Sequence, residues 1–266
     1  MTAAPVLSVR ELGVALRHGR DHATVVHDIS FDLHAGEVLA LVGESGCGKT
    51  KTAEALLGLV PPELGRVTAQ HVLLGETDLA KLPESALRRV RGRELSMVFQ
   101  EPLTALDPVF RAGQQLAAVF QRHRGLKRGQ AREAAIEMLE RVGFADPEHV
   151  LRSYPHELSG GMRQRVIIAM AMACRPRVLV ADEPTTALDV TTQAQVLDQL
   201  IRLAAAAQTA ILLITHDLGI VAQYCDRALV MKGGRILEDA PVERLFAAPS
   251  HPYTGELLAA ARGATR

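Results

Sequence analysis

The segment Val38-Leu39-Ala40-Leu41-Val42-Gly43-Glu44-Ser45-Gly46-Cys47-Gly48-Lys49-Thr50 decides the reading of this chain. Its first five residues are a short, continuous apolar run, the mark of a strand buried on both faces of a parallel sheet. A helix is expected from Thr50 to about Leu59, stopped by Pro61 and Pro62. Between strand and helix, residues 43–50 fit the glycine-rich pattern whose backbone N–H groups curl around a phosphate. The helix N-terminus adds partial positive charge, Lys49 is placed to neutralise β- and γ-phosphate oxygens, and the Thr50 hydroxyl to ligate Mg²⁺. Gly43, Glu44, Ser45, Gly46, Cys47, Gly48 and Lys51 complete the expected cradle for a nucleotide.

Working outward, two further strands end in chemistry. Val178-Leu179-Val180-Ala181 delivers Asp182 and Glu183 to the C-terminal edge of the sheet, where ligands of parallel α/β folds bind. Asp182 is expected to hold Mg²⁺ through water, and Glu183 to polarise an attacking water as general base. Taken alone, the pair would read first as a solvated acidic turn; beside the phosphate loop it reads as a site. The run Ala210 to Thr215 ends in His216, placed to touch the γ-phosphate; a histidine beside an aspartate at a strand end also has a purely structural reading. The three strands are expected to bring Gly43, Asp182 and His216 to one sheet edge.

The most discriminating segment is Leu158-Ser159-Gly160-Gly161-Met162-Arg163-Gln164-Arg165. It opens a helix with small residues and free N–H groups, an end that binds anions. The chain already has one phosphate loop, so this second terminus needs a second phosphate face to act on; the bland alternative is a capped helix with no ligand.

The remaining pattern places these motifs. Strands are expected at Leu7 to Leu16 and Thr24 to Leu33, and helical periodicity from about Gln100 to Leu158, including Gln130 to Val142 with Gly143 as cap. A helix of about Thr191 to Ala207 follows a cap at Asp189, and Arg227 to Met231 with Arg235 to Asp239 read as a hairpin through Gly233 and Gly234. The organisation expected is one α/β domain: a core of residues 1–99 and 161–240, a helical insertion of about 100–160, and a helical tail at 241–266.

Composition narrows the class. The 266 residues are 48% hydrophobic, enough for a sizeable core, and 30 Lys plus Arg balance 30 Asp plus Glu. No global field draws the chain to nucleic acid or anionic lipid. Aromatics are 3% with no Trp, which argues against a base-stacking platform, so nucleic acid is not an expected partner. Cys47, Cys174 and Cys225 lack metal-ligand spacing and imply a reducing, cytosolic setting. No apolar stretch reaches the ~20 residues of a membrane-spanning helix. The basic clusters Arg88 to Arg93 and Arg122 to Arg128 read as solvated faces, or alternatively as contacts to lipid head groups or a partner's loop.

Together, the phosphate loop, Gln100 in Val98-Phe99-Gln100-Glu101-Pro102, the 158–165 segment, Asp182-Glu183, Ala187-Leu188-Asp189 and His216 resemble the nucleotide-binding domain of ABC transporters, in order and over nearly the whole chain. The resemblance implies a phosphate-loop NTPase core of the RecA-like kind, with an N-terminal antiparallel β subdomain and an inserted helical subdomain. It implies ATP hydrolysis with Mg²⁺ in a head-to-tail dimer with a second ATPase subunit, identical or related, each ATP lying between the phosphate loop of one subunit and Ser159, Gly160 and Gly161 of the other. It assigns Gln100 to Mg²⁺, water sensing and coupling, and Asp189 to communication between subunits. Two transmembrane permease subunits and, indirectly, an extracytoplasmic solute-binding protein are the implied partners, with this chain peripheral on the cytoplasmic face of the plasma membrane.

Within that family the chain resembles the oligopeptide, dipeptide and nickel importer group, through Gln100-Glu101-Pro102-Leu103-Thr104-Ala105-Leu106-Asp107-Pro108, Tyr154-Pro155-His156-Glu157-Leu158 and His251-Pro252-Tyr253-Thr254. Uptake of small peptides or nickel chelates is the implied task; another cargo, export, or a soluble ATPase acting on nucleic acid are the alternatives. A phosphate-loop kinase would need an acceptor lid where the 158–165 segment stands. The chain departs from the family pattern at Lys51, which replaces the usual second Ser or Thr, and in offering only His18, Arg20 and His22 as planar groups to stack on adenine. A cysteine-bearing extension is absent, so no iron–sulfur cluster is expected.

Overall fold

The computed structural model describes residues 4–19, 21–99, 105–186 and 188–263. Gln100 and the motif residues through Thr104, together with Arg20 and Ala187, lie outside the described residues. The strands are β1 (Leu7–His18), β2 (Asp21–Leu33), β3 (Val38–Val42), β4 (Gly65–Thr68), β5 (His71–Leu74), β6 (Thr77–Asp78), β7 (Leu95–Val98), β8 (Val178–Asp182), β9 (Ala210–Thr215), β10 (Arg227–Lys232) and β11 (Arg235–Pro241). The α-helices are α1 (Lys49–Leu56), α2 (Glu84–Val90), α3 (Ala112–Arg124), α4 (Arg128–Arg141), α5 (Pro147–Arg152), α6 (Gly160–Met172), α7 (Val190–Ala207), α8 (Leu218–Tyr224), α9 (Val242–Ala247) and α10 (Pro252–Gly263). The chain divides into two compact units, Met1–Arg88 with Ala210–Arg266, and Arg89–Thr209.

The first unit holds two sheets. In the N-terminal one, β1 and β2 form a long antiparallel hairpin from Leu7 opposite Leu33 to His18 opposite Asp21, and β1 also pairs with β4 and β5. Alternating side chains put Leu7, Val9, Leu12, Val14, Val26 and Leu33 inside. Glu11 and Asp28 take left-handed backbone angles, φ 53° and 49°, beside shifts in the hairpin register. Arg10 donates to both oxygens of Asp32, at 2.9 and 2.7 Å.

In the second sheet β3 lies between β9 and β10, parallel to both, with β11 antiparallel at the edge. Every residue of β3 and β9 is buried, as the continuous apolar runs required. Ala40, Val42, Ala228, Val230 and Ala240 of this sheet pack with Leu218 and Val221 of α8, Leu245 of α9, and Tyr253 and Leu258 of α10. Arg227 ties the sheet's end together, bonding Glu37 at 2.8 Å and both oxygens of Asp239 at 2.7 and 2.8 Å.

The second unit pairs β7 with β8 in parallel, Val98 opposite Ala181. Around them run α3 to α7. On α3 the buried positions Ala112, Leu116 and Phe120 recur every four residues, and on α4 Ala131, Ala135, Met138 and Leu139 do the same work. Gly143 follows α4 at φ 83°, the left-handed turn expected of it. The fold is therefore α/β with an N-terminal antiparallel sheet and helical elements. Strands β4 to β7 were not separately expected; at two to four residues each, they are too short to carry a periodic signal.

Candidate nucleotide site

The phosphate loop leaves β3 where the backbone is most crowded. A Cβ on Gly43 would lie 2.1 Å from the Met231 carbonyl oxygen, and one on Gly48, at φ 110°, would lie 2.7 Å from that of Val25. Only glycine fits this curl, which passes directly over neighbouring backbone. Inside it, Lys49 is 6% exposed, and its ammonium donates to the carbonyl oxygens of Gly43 at 2.8 Å and Glu44 at 2.9 Å. The charge is thus held within the loop rather than released to solvent. Gly234 N–H donates to the Cys47 carbonyl at 3.0 Å, and the Thr52 hydroxyl to that of Gly48 at 3.0 Å, pinning the loop from outside.

Glu44, Ser45 and Gly46 form the exposed rim, while Cys47, Gly48 and Lys49 are buried and Thr50 is half-buried at the start of α1. The first turn of α1 carries no acidic residue, so its N–H groups and Lys49 offer an uncompensated positive end, which fits a polyphosphate. Lys51 pairs along the helix with Glu54 at 2.7 Å. Burial pushes the Cys47 thiol pKa up against the opposing pull of Lys49. Among the described residues, no group of three or more His, Cys, Asp or Glu could hold a metal. Mg²⁺ carried on substrate phosphates needs few ligands from the protein, and the half-buried Thr50 hydroxyl at the start of α1 is of a type that fits one.

Register places His216. Val42 pairs with Thr215 in parallel, so Gly43 and His216 leave the sheet side by side, His216 exposed. Its neighbour Asp217 caps α8, accepting from Gly219 N–H at 2.7 Å and Ile220 N–H at 3.3 Å, and its own N–H donates to the Thr215 hydroxyl at 3.0 Å. His216 is thereby held between a strand end and a capped helix. His18 and His22 sit exposed at the tip of the β1–β2 hairpin.

In the second unit, β8 ends in Asp182, 1% exposed. Glu183 follows with a left-handed φ of 45°, and its Oε2 accepts from the Thr186 hydroxyl at 2.9 Å. A non-glycine residue at such an angle is uncommon and gathers at functional positions; the Thr186 bond orients the carboxylate. Ser159 is exposed and caps α6, its hydroxyl oxygen accepting from Met162 N–H at 3.3 Å, and exposed Gly160 begins the helix. Gly161 is small for a different reason: a Cβ there would meet Thr192 Cγ2 at 2.4 Å. Asp189 caps α7 through Thr192 N–H at 3.0 Å, a bond that holds its carboxyl below the usual range. Sequence reasoning missed Thr186 and Thr192; the three-residue spacing of each from its acidic partner, typical of side-chain-closed turns, was the available signal. A cavity of about 890 Å³ in the first unit is lined by residues such as Arg17, Leu56, Arg66 and Leu87, and by none of residues 43–50.

The profile of the ABC transporter family matches residues 26–186, a span that takes in the phosphate loop, the 158–165 segment and Asp182-Glu183. The chain is 46% identical over 253 residues to the dipeptide transport ATP-binding protein DppD of Bacillus subtilis, covering 95% of this chain and 76% of that protein. It is 49% identical over 256 residues to the peptidoglycan transport ATP-binding protein YejF of Agrobacterium fabrum; there it covers 96% of this chain but spans about half of the relative, 47%. Among solved structures, the dimeric MJ0796, a bacterial ABC transporter cassette, superposes with a TM-score of 0.77 at 25% identity, over 89% of this chain and 98% of that one. Among the described residues no helix is long and apolar enough to cross a membrane. The chain belongs to the ABC transporter family, as one of its ATP-binding cassettes.

Proposed function

We propose that this cassette binds and hydrolyses MgATP to drive uptake of small peptides through two separate membrane-spanning subunits, working at the cytoplasmic face of the membrane in a head-to-tail dimer with a second cassette. Hydrolysis coupled to transport is the family's activity. The peptide cargo rests on relatives named for dipeptide and oligopeptide transport; none of these names nickel. The dimer is supported by the solved cassette MJ0796, itself dimeric, and by the exposed N-terminus of α6, which needs a second phosphate face to act on.

The observation that carries the nucleotide reading is the buried Lys49 ammonium held by the Gly43 and Glu44 carbonyls. In this reading residues 43–51 cradle the phosphates by backbone N–H groups, and Lys49 neutralises β- and γ-oxygens. Thr50, Gln100 and Asp182 are the metal-side residues, Asp182 through water. A Mg²⁺ ion held by these residues would supply positive charge against the phosphate oxygens. Glu183, aimed by Thr186, accepts the proton of the attacking water, and His216 contacts the γ-phosphate. Ser159, Gly160 and Gly161 close on the partner's nucleotide, and Asp189 relays between subunits. Gln100 and the helical segment of about 100–160, which falls within the second unit, carry the stroke to the membrane subunits.

Two variants test this. Glu183→Gln is expected to retain ATP binding while turnover falls by ~10²- to 10⁴-fold, the usual cost of a lost general base; normal turnover would remove Glu183 from that role. Lys49→Ala is expected to weaken ATP binding by about tenfold or more, as loss of a charge-assisted contact does. An unchanged affinity would undermine the phosphate-loop reading.

A further inference from the structure

The tail motif His251-Pro252-Tyr253-Thr254 plays no part in the function described above, yet it is built into the fold by a single carboxylate. Glu238 on β11, 7% exposed, accepts from Ser250 N–H at 2.8 Å, His251 N–H at 3.0 Å and the Thr254 hydroxyl at 2.6 Å. Burial works against its charge, but these donors hold the carboxyl below its ordinary range. His251 Nδ1 in turn accepts from Tyr253 N–H at 3.1 Å. The start of α10 is thereby fixed at both its backbone and its side chains.

What this clasp fixes is Tyr253. The residue is 4% exposed and belongs to the same buried cluster as Val42, the residue before Gly43, with Val230 and Leu258. The Lys232 ammonium lies 4.0 Å from its ring centroid. Its hydroxyl is buried without a hydrogen bond of normal geometry, and the polar groups that face it belong to the phosphate loop: the backbone N–H and carboxylate of Glu44, with Cys47 beyond. A buried hydroxyl without a partner costs free energy that phenylalanine would avoid at the same site. The hydroxyl is accounted for if the Glu44 peptide settles on it when the loop wraps a phosphate.

We propose that Tyr253 is a positioning residue for nucleotide binding: clasped by Glu238, it supports the Glu44 turn of the phosphate loop from beneath, so that the tail sets how the loop receives a polyphosphate. This rests on reading residues 43–50 as the nucleotide site. In the full chain, with a fluorescent ATP analogue and Mg²⁺ as probe, Tyr253→Phe keeps the ring's packing and removes only the hydroxyl. The expected result is a dissociation constant raised about 3- to 10-fold, with a thermal midpoint in the absence of nucleotide that is not lowered and an unchanged rate at saturating ATP. Thr254→Val, which removes one donor from the clasp, is expected to weaken affinity in the same direction. Parental affinity in both variants, whether or not the thermal midpoint falls, overturns the proposal and leaves the tail a purely structural role. Lys49→Ala, measured alongside, separates the two claims: if it too binds normally, the reading of the loop fails rather than the role of the tail.

Discussion

The burial of Lys49 and its two carbonyl acceptors depend on Met231 and Gly234, nearly two hundred residues away, pressing the loop into shape. No local pattern reports such a contact. Cys47 carries a consequence at the same scale. The thiolate is the reactive species, and burial raises the Cys47 pKa, so a bulky thiol reagent is expected to label it slowly at neutral pH. While pH stays below that pKa, the rate rises about tenfold per unit. MgATP is expected to protect it and labelled protein to lose ATP binding, whereas Cys225, pushed up to about 12 by burial and then by Asp226, stays unlabelled. Peptide mass spectrometry reads all of this; equal labelling of Cys47 with and without MgATP would count against its place in the site.

At the scale of elements, strands whose faces are both buried were readable from their apolar runs, and β3 and β9 stand where those runs placed them. Caps were readable too: Asp189 and Ser159 each bond the N–H three residues on. The short strands β4 to β7 were not, because strands of this length are set by pairing with β1, β5 and β8 rather than by their own sequence. The same limit hid the contact between α6 and α7. Gly161 looked like part of an anion-binding turn, and its smallness also lets the N-terminus of α7 approach, with Thr192 Cγ2 only 2.4 Å from where a Cβ would stand. Gly161→Ala is therefore expected to destabilise the fold by about 1–3 kcal/mol, the range for overpacking. Adding Thr192→Ser, which removes that methyl and keeps the hydroxyl, is expected to restore most of the loss. Denaturant midpoints of the single and double variants decide it; a neutral single variant, or no recovery in the double, would contradict the close approach.

For the whole molecule, the sequence order of the motifs carried the family reading, and the profile match over residues 26–186 agrees with it. What sequence order could not carry is what the exposed Ser159 end of α6 acts on. The proposed answer is a second cassette whose α6 terminus closes on the nucleotide. The most direct test is the mass in solution, by light scattering, of the Glu183→Gln chain, alone and mixed with its natural companion cassette. The account predicts a stable dimer in at least one of the two samples when MgATP is present, and monomers when it is absent. Nucleotide-bound monomers in both samples would contradict it.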